Sequence, residues 1–250
     1  MADGNEYPAY ATVRTLWRHF FPYRGFTPSA SQPYASKMDT KAGASAKSAL
    51  ADLTPEPTRD TVVDELSHFG YLRLNATRTT PRGKRDRVVV FVLDGEGEYS
   101  RHSSPLRKLV SGVFADKEMK EALDAIILVY DADVVKKKFI GAIVDEFNDG
   151  APAGPDPDGL APACVAYPFH LFPPDPVPTA DCVGRHRIMS EEEVTALLAR
   201  ERLSLRDLYG IYETDPPAAW LGARAGQVVE ITGDSETAGI AITYRLVKKG

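Results

Sequence analysis

Two short runs constrain this chain more than any other feature. Residues 88–93 (VVVFVL) and 125–130 (AIILVY) are apolar throughout and rich in β-branched side chains. Continuous runs of this length predict strands covered on both faces, whereas a half-exposed strand would alternate. Both are far below the ~20 residues that a membrane-spanning helix needs. The stretch between them is long enough for a crossover, and residues 116–123 carry a helical pattern. The order strand, helix, strand predicts a βαβ unit inside a layered core.

Other elements follow from local chemistry. Residues 9–26 read as an amphipathic helix, with Val13, Leu16, Trp17 and Phe20 on one side and Pro22 as its stop. Residues 27–59 are rich in Ser, Ala, Thr, Pro and Lys and read as a mobile insert. A short helix is expected over 58–66, capped by Asp60 or Thr61, and a strand over 70–74. Asp133 reads as the cap of a helix over 134–147, whose Val135, Phe139, Ile143 and Phe147 recur every fourth residue. Residues 150–162, GAPAGPDPDGLAP, exclude regular structure and mark a linker or a surface insertion.

The last third is compactly patterned. Ser190 and Glu193 form a capping box at the head of an amphipathic helix. Residues 204–209 predict a second short helix ending at Gly210. Asp215 and Pro216 open a third, which Gly222 stops. Residues 227–232 and 240–247 predict two strands of a hairpin joined by a turn over 233–239, and Trp220 and Leu221 are candidate core.

Charge narrows the function. The net charge is −5, yet residues 78–108 hold 8 basic and 4 acidic side chains, and residues 151–182 hold no basic one. Such a chain does not grip nucleic acid with its whole surface, so any contact is local. Two basic patches are candidates: Arg82, Lys84, Arg85 and Arg87, and the run Lys136, Lys137 and Lys138. Contacts of this kind would be to phosphates and independent of base sequence. The opening MADGNEYPAY has neither a basic start nor an apolar stretch, so no secretory signal or membrane attachment is expected. Cys164 and Cys182 are too few for a zinc site and read as free thiols of a reducing compartment. No Walker A loop, HExxH or GxSxG occurs. Asp94, Asp131 and Asp133 follow the two apolar runs and could hold Mg²⁺, but a helix cap explains Asp133. A non-catalytic protein without cofactor is the expectation.

The last third also carries a resemblance. His186, Asp215-Pro216, Leu221-Gly222, Gly226, Val228-Val229, Ile231, Ser235-Glu236-Thr237-Ala238-Gly239 and Tyr244-Arg245 stand in the order and spacing of one family. The segment resembles the small assembly subunit of multisubunit DNA-directed RNA polymerases. Archaea have this subunit without a jaw domain, and a two-domain version exists in eukaryotes and some large DNA viruses. Leu16-Trp17-Arg18 and Arg24-Gly25-Phe26 are similar to the opening helix of the N-terminal jaw domain of the two-domain form. Gly233, Ile240 and Ala241 stand where the family usually has Arg, Arg and Tyr. Residues 135–138 replace its Thr-Pro-Ser-like turn, and the inserts at 27–59 and 150–162 are extra.

The resemblance implies an α+β protein. A jaw-like α/β domain would occupy 1–149. A Pro/Gly-rich linker with a connecting strand near 165–171 would occupy 150–182. An assembly domain of three short helices and a hairpin would occupy 183–250. It further implies a non-catalytic polymerase subunit, with phosphodiester chemistry left to the large subunits. The assembly domain would dock on the largest subunit through His186, Ser235, Glu236, Thr237, Ala238, Gly239, Tyr244 and Arg245. The jaw would guide downstream duplex DNA through the two basic patches. The alternative is a freestanding DNA-binding or regulatory module reusing the C-terminal fold. Localisation would be nuclear for a cellular protein, and the virion or the host nucleus or cytoplasm for a viral one.

Overall fold

A computed structural model describes residues 8–30, 56–78, 87–93, 95, 97–116, 122–149, 163–172, 185–235 and 239–249. Its contacts divide the chain into two compact units. One comprises Met1–Asn148 with Pro162–Pro174, the other Asp149–Ala161 with Asp175–Gly250.

The first unit is built on a five-stranded sheet in sequential order: β1 (Thr27–Ala30), β2 (Tyr71–Thr77), β3 (Arg87–Leu93), β4 (Leu123–Tyr130) and β5 (Ala163–Pro168). The first three strands pair antiparallel; β3, β4 and β5 run parallel. Both apolar runs lie at the centre of this sheet. Val89, Val90, Phe91, Val92, Ile126, Ile127, Leu128 and Val129 are all fully buried, as unbroken runs require. One face carries Val89, Phe91, Leu93, Ile126 and Leu128 against Leu106 and Val110 of one helix and Ile140 and Ile143 of another. Leu72, Leu74, Val90 and Ile127 are buried on the opposite face. There α2 (Arg59–Phe69) packs along β2 and touches α1 (Pro8–Thr15).

Several elements differ from expectation. The first helix does not stop at Pro22. It widens into a π segment, Leu16–Phe20, in which Phe21 N–H reaches Leu16 O, and a last α turn, Phe21–Tyr23, contains the proline. Pro22 has no N–H to give, and a widened turn makes room for its ring. The chain leaves through Gly25, at φ +74°. Residues 27–30 are not insert but strand, paired with β2 from Thr27–Thr77 to Ala30–Leu74. The cap of α2 is Thr58, whose Oγ1 accepts the Thr61 N–H at 3.2 Å, rather than Asp60 or Thr61.

The crossover after β3 is made by α3 (Glu98–Arg101) and α4 (Ser103–Ala115), which precede the stretch read as helical; residues 117–121 lie outside the described residues. Pro105 sits in the first turn of α4, where its missing N–H costs nothing. The second crossover, α5, spans Lys137–Asn148, three residues later than expected. The Asp131 carboxylate accepts the Asp133 N–H at 2.9 Å, so these acids hold a turn and Asp133 does not cap the helix. Strand β5 falls at 163–168, slightly before the predicted connecting strand. Its outer side is occupied by Asn148: the side-chain amide donates to Cys164 O at 2.7 Å and accepts Cys164 N–H at 2.9 Å.

In the second unit the predicted hairpin belongs to a four-stranded sheet. The strands are β6 (Arg185–Ile188), β7 (Tyr209–Tyr212), β8 (Val228–Ser235) and β9 (Gly239–Lys248), in the order β6-β8-β9-β7. Strand β7 runs parallel to β9; the other pairs are antiparallel. The Ser190–Glu193 capping box opens α6 (Glu191–Glu201) as predicted. The segment 204–209 is one 3₁₀ turn, Leu205–Asp207, and then strand, because Tyr209 and Gly210 pair with Arg245 and Leu246. Asp215 and Pro216 open α7 (Pro216–Leu221), closed by Gly222 at φ +70°. The hairpin strands reach Ser235 and restart at Gly239. The turn is therefore shorter than 233–239, and residues 236–238 lie outside the described residues.

Candidate functional site

Arg87 of one basic patch and the described lysines of the other lie at opposite ends of the first sheet. Arg87 opens β3, half-buried and paired with Thr77; Arg82, Lys84 and Arg85 lie outside the described residues. Lys136 and Lys138 are exposed at the head of α5, beyond the end of β4. Strands β3 and β4 are parallel, and seven residues at about 3.3 Å each separate the two ends by roughly 20 Å. Arg87 and these lysines do not form one compact site. Lys137 is the first helical residue. The run thus sits closer to the positive end of the helix dipole than expected, where each cation costs about 0.3–1 kcal/mol.

The structure adds cationic residues beside Arg87 that sequence reading did not select. Arg24 and Arg78 approach the same Asp124 oxygen at 3.6 and 3.7 Å. Arg78 lies 4.6 Å from the centre of the Phe26 ring, and Arg24 lies 5.4 Å from Phe20. Burial lowers the Arg24 pKa, against the opposing pull of Tyr167 and Asp124. Two guanidinium groups thus converge on one carboxylate. The signal was the triplet Arg24-Gly25-Phe26, whose glycine turns the chain back so that Arg24 meets Asp124 of β4 and Phe26 meets Arg78 just past β2. Cys164 is a free, buried thiol, its pKa pushed up to about 12 by burial; Cys182 lies outside the described residues. No group of three metal-ligating side chains occurs among the described residues. None of the described helices is long and apolar enough to cross a membrane.

In the second unit the predicted docking residues divide between two faces. Register places His186 opposite Ile231, Arg245 opposite Val229, and Ser235 opposite Gly239. These share the face on which Val229 and Val247 pack with Ala218 and Ala223 around α7. Arg245 also lies 5.1 Å over the Tyr209 ring. Tyr244 is on the other face, opposite Glu230, and hydrogen-bonds Arg200 of α6. On that face Arg187 bridges Glu193 at 2.7 Å and Glu230 at 3.1 Å. Glu236, Thr237 and Ala238 lie outside the described residues. Gly239 has φ +75°, and a Cβ there would meet nothing within 4 Å, so backbone conformation alone explains the glycine.

Comparison with known proteins bears on both units. The C-terminal domain model of RNA polymerase Rpb5 matches residues 177–247. The DNA-directed RNA polymerase RPB5 homolog of African swine fever virus (isolate Pig/Kenya/KEN-50/1950) is 33% identical over 190 residues, covering 76% of this chain and 85% of the viral one. The chain belongs to the Rpb5 family of RNA polymerase subunits. It is of the kind found in large DNA viruses. Subunit Rpo5 of Methanocaldococcus jannaschii is 43% identical over 67 residues, 27% of this chain but 86% of the archaeal one. Subunit RPABC1 of RNA polymerases I, II and III from Caenorhabditis elegans is 49% identical over 67 residues, 27% of this chain and 32% of its own. The family therefore gives a transcriptional role to the whole chain.

Proposed function

We propose that this Rpb5-family subunit joins its polymerase through the C-terminal unit, docking on the largest subunit, while the N-terminal unit guides downstream DNA. One observation carries the assignment of assembly to the C-terminal unit. The archaeal subunit matches over 86% of its length, so a polymerase subunit exists that is little more than this unit. Catalysis would then belong to the large subunits, and this chain would need no cofactor of its own. In an infected cell it would go where the viral polymerase goes, whether nucleus, cytoplasm or virion.

Guidance of DNA would rest on phosphate contacts by the two basic runs, Arg82, Lys84, Arg85 and Arg87 in one and Lys136, Lys137 and Lys138 in the other. Purifying the tagged full chain from its native source tests the assembly role. The two large subunits should co-elute at near-equal stoichiometry; a clean monomer that binds duplex DNA would favour the freestanding module. Replacing the three lysines by alanine should weaken DNA engagement by the assembled polymerase and reduce its salt dependence by up to about three phosphate contacts. Unchanged DNA engagement would remove these lysines from the site.

A further inference from the structure

A cavity of about 410 Å³ opens within the first unit, between β2 and β3 on one side and α3 and α4 on the other. That volume lies in the range of small-molecule sites. Its lining includes an aromatic cluster. Phe91 is fully buried, and the Tyr71 ring meets Phe91 edge-on at 5.8 Å and Tyr99 at 4.9 Å. Tyr99 in turn packs against Gly70, where a Cβ would lie 3.2 Å from its ring. The aromatic wall is thus set by the unit's own packing.

Two lining residues decide what the cavity can hold. Arg73 brings charge. It is 8% exposed, its guanidinium lies 5.9 Å from the centre of the Phe91 ring, and Asn75 Oδ1 accepts its Nε–H at 3.2 Å. A planar guanidinium steadied in this way has the fork geometry that a carboxylate matches. Lys108 stands exposed in the same lining, against one carboxylate there, the exposed Glu98. Glu65 opposes Arg73 in its pull on the Tyr71 hydroxyl but is not part of the lining. Gly112 brings room. It follows Lys108 by four residues on α4, so the two share the helix face turned to the cavity. A Cβ at Gly112 would meet nothing within 4 Å, and its backbone is not left-handed. Glycine inside a helix is less stable than alanine, so neither packing nor backbone conformation accounts for it here.

We infer that this cavity binds a small aromatic acid, a flat ring carrying one carboxylate. The ring lies among Tyr71, Phe91 and Tyr99, and the carboxylate pairs with Arg73. Shape and charge select this occupant together. Aromatic walls reward a flat ring through edge and face contacts. A buried guanidinium rewards an anion, because a charge-assisted pair out of water is stronger than a neutral hydrogen bond. Two cations to one carboxylate in the lining suit a single negative charge on the ligand. The open space at Gly112 is then the room that the ring requires. The site is separate from both basic runs and from the C-terminal unit, so it adds a ligand to a subunit whose family role is transcription.

Calorimetric titration of the purified full chain with naphthaleneacetate, and separately with its neutral amide, tests the site. The acid should bind with a Kd of about 1 mM or tighter. The amide should bind about tenfold more weakly or worse, since it gives Arg73 no charge to meet. Arg73→Met should weaken the acid by about tenfold and bring acid and amide level. Gly112→Leu, which places a better helix former in α4, should abolish binding of both by filling the cavity. Absence of acid binding overturns the proposal. So does equal binding of acid and amide by the unaltered chain, or full binding by Gly112→Leu. Should Arg73→Met not fold, nuclear magnetic resonance of the unaltered chain decides. The Lys108 and Gly112 amide signals should shift as the acid is added, and shifts confined to other residues refute the site.

Discussion

The two units solve the same problem with unequal means. In the first, a sheet is sealed between helices, and its central strands contribute eight fully buried apolar side chains from 89–92 and 126–129. In the second, the buried cluster comprises Ala218, Ala223, Val229 and Val247, edged by four partly buried neighbours, and large apolar side chains remain on the surface. At about 25 cal/mol per Å² of apolar area removed from water, the side chains that the second unit leaves exposed add little to its own stability. The difference teaches where each unit's stability resides. The first unit buries most of its large apolar side chains, whereas the smaller unit leaves six exposed and adds the Ser190–Glu193 capping box and the Arg187 ion pairs.

Substitutions can break that contrast, and native-state hydrogen exchange across a urea series reads each unit separately. The largest effect is expected at Leu128→Ala, fully buried in β4, at about 2–5 kcal/mol. Only the first unit should respond; loss of protection in both would mean that they unfold as one. Next, Asn148→Ala removes both side-chain bonds to Cys164 and should cost about 1–3 kcal/mol, with exchange of the Cys164 amide accelerating first. Ser190→Ala should cost about 1 kcal/mol in the second unit alone, since it leaves the Glu193 N–H without its acceptor.

The smallest effect is a pH dependence. Hydrogen bonds from Arg187 and then from the Ser190 backbone hold the Glu193 pKa below the ordinary glutamate value of 4.5. A depressed folded value contributes stability that is complete above about pH 4.5 and fades as the pH falls through the folded value. Acid titration should therefore loosen the second unit through this group, and Glu193→Gln should flatten the slope below pH 4.5. An unchanged slope would show that the exposed Arg187 pair is screened to insignificance.

Much of the fold was legible because the signals were local or the burial extreme. The runs at 88–93 and 125–130 could only be central strands, and Ser190 with Glu193 could only cap. What escaped was set by partners distant in sequence. Residues 27–30 (TPSA) have little strand character of their own, and become strand because β2 offers them an open edge. Tyr209 and Gly210 looked like a helix end until β9 claimed them. The crossover helix over Ser103–Ala115 was missed because Ser103, Ser104, Pro105 and Gly112 blurred its stripe, although Leu106, Val110 and Val113 form the buried side. At the candidate sites the residue types were readable, but their grouping was not. Pairing register, not spacing, separates Tyr244 from Arg245 and sets Arg87 and Lys136 at opposite ends of one sheet.

Asn148 has a consequence for the life of the newly made chain. Its amide mimics a neighbouring strand to the outer side of β5, as Asp215 does for Tyr212. An open strand margin invites like chains to add to it. Plugs on the β5 and β7 margins make addition of like chains at those two edges less favourable while the chain accumulates. Light scattering at rising concentration should find the unaltered chain quiescent and Asn148→Ala prone to cluster; equal behaviour would show that the β5 margin is protected by other means.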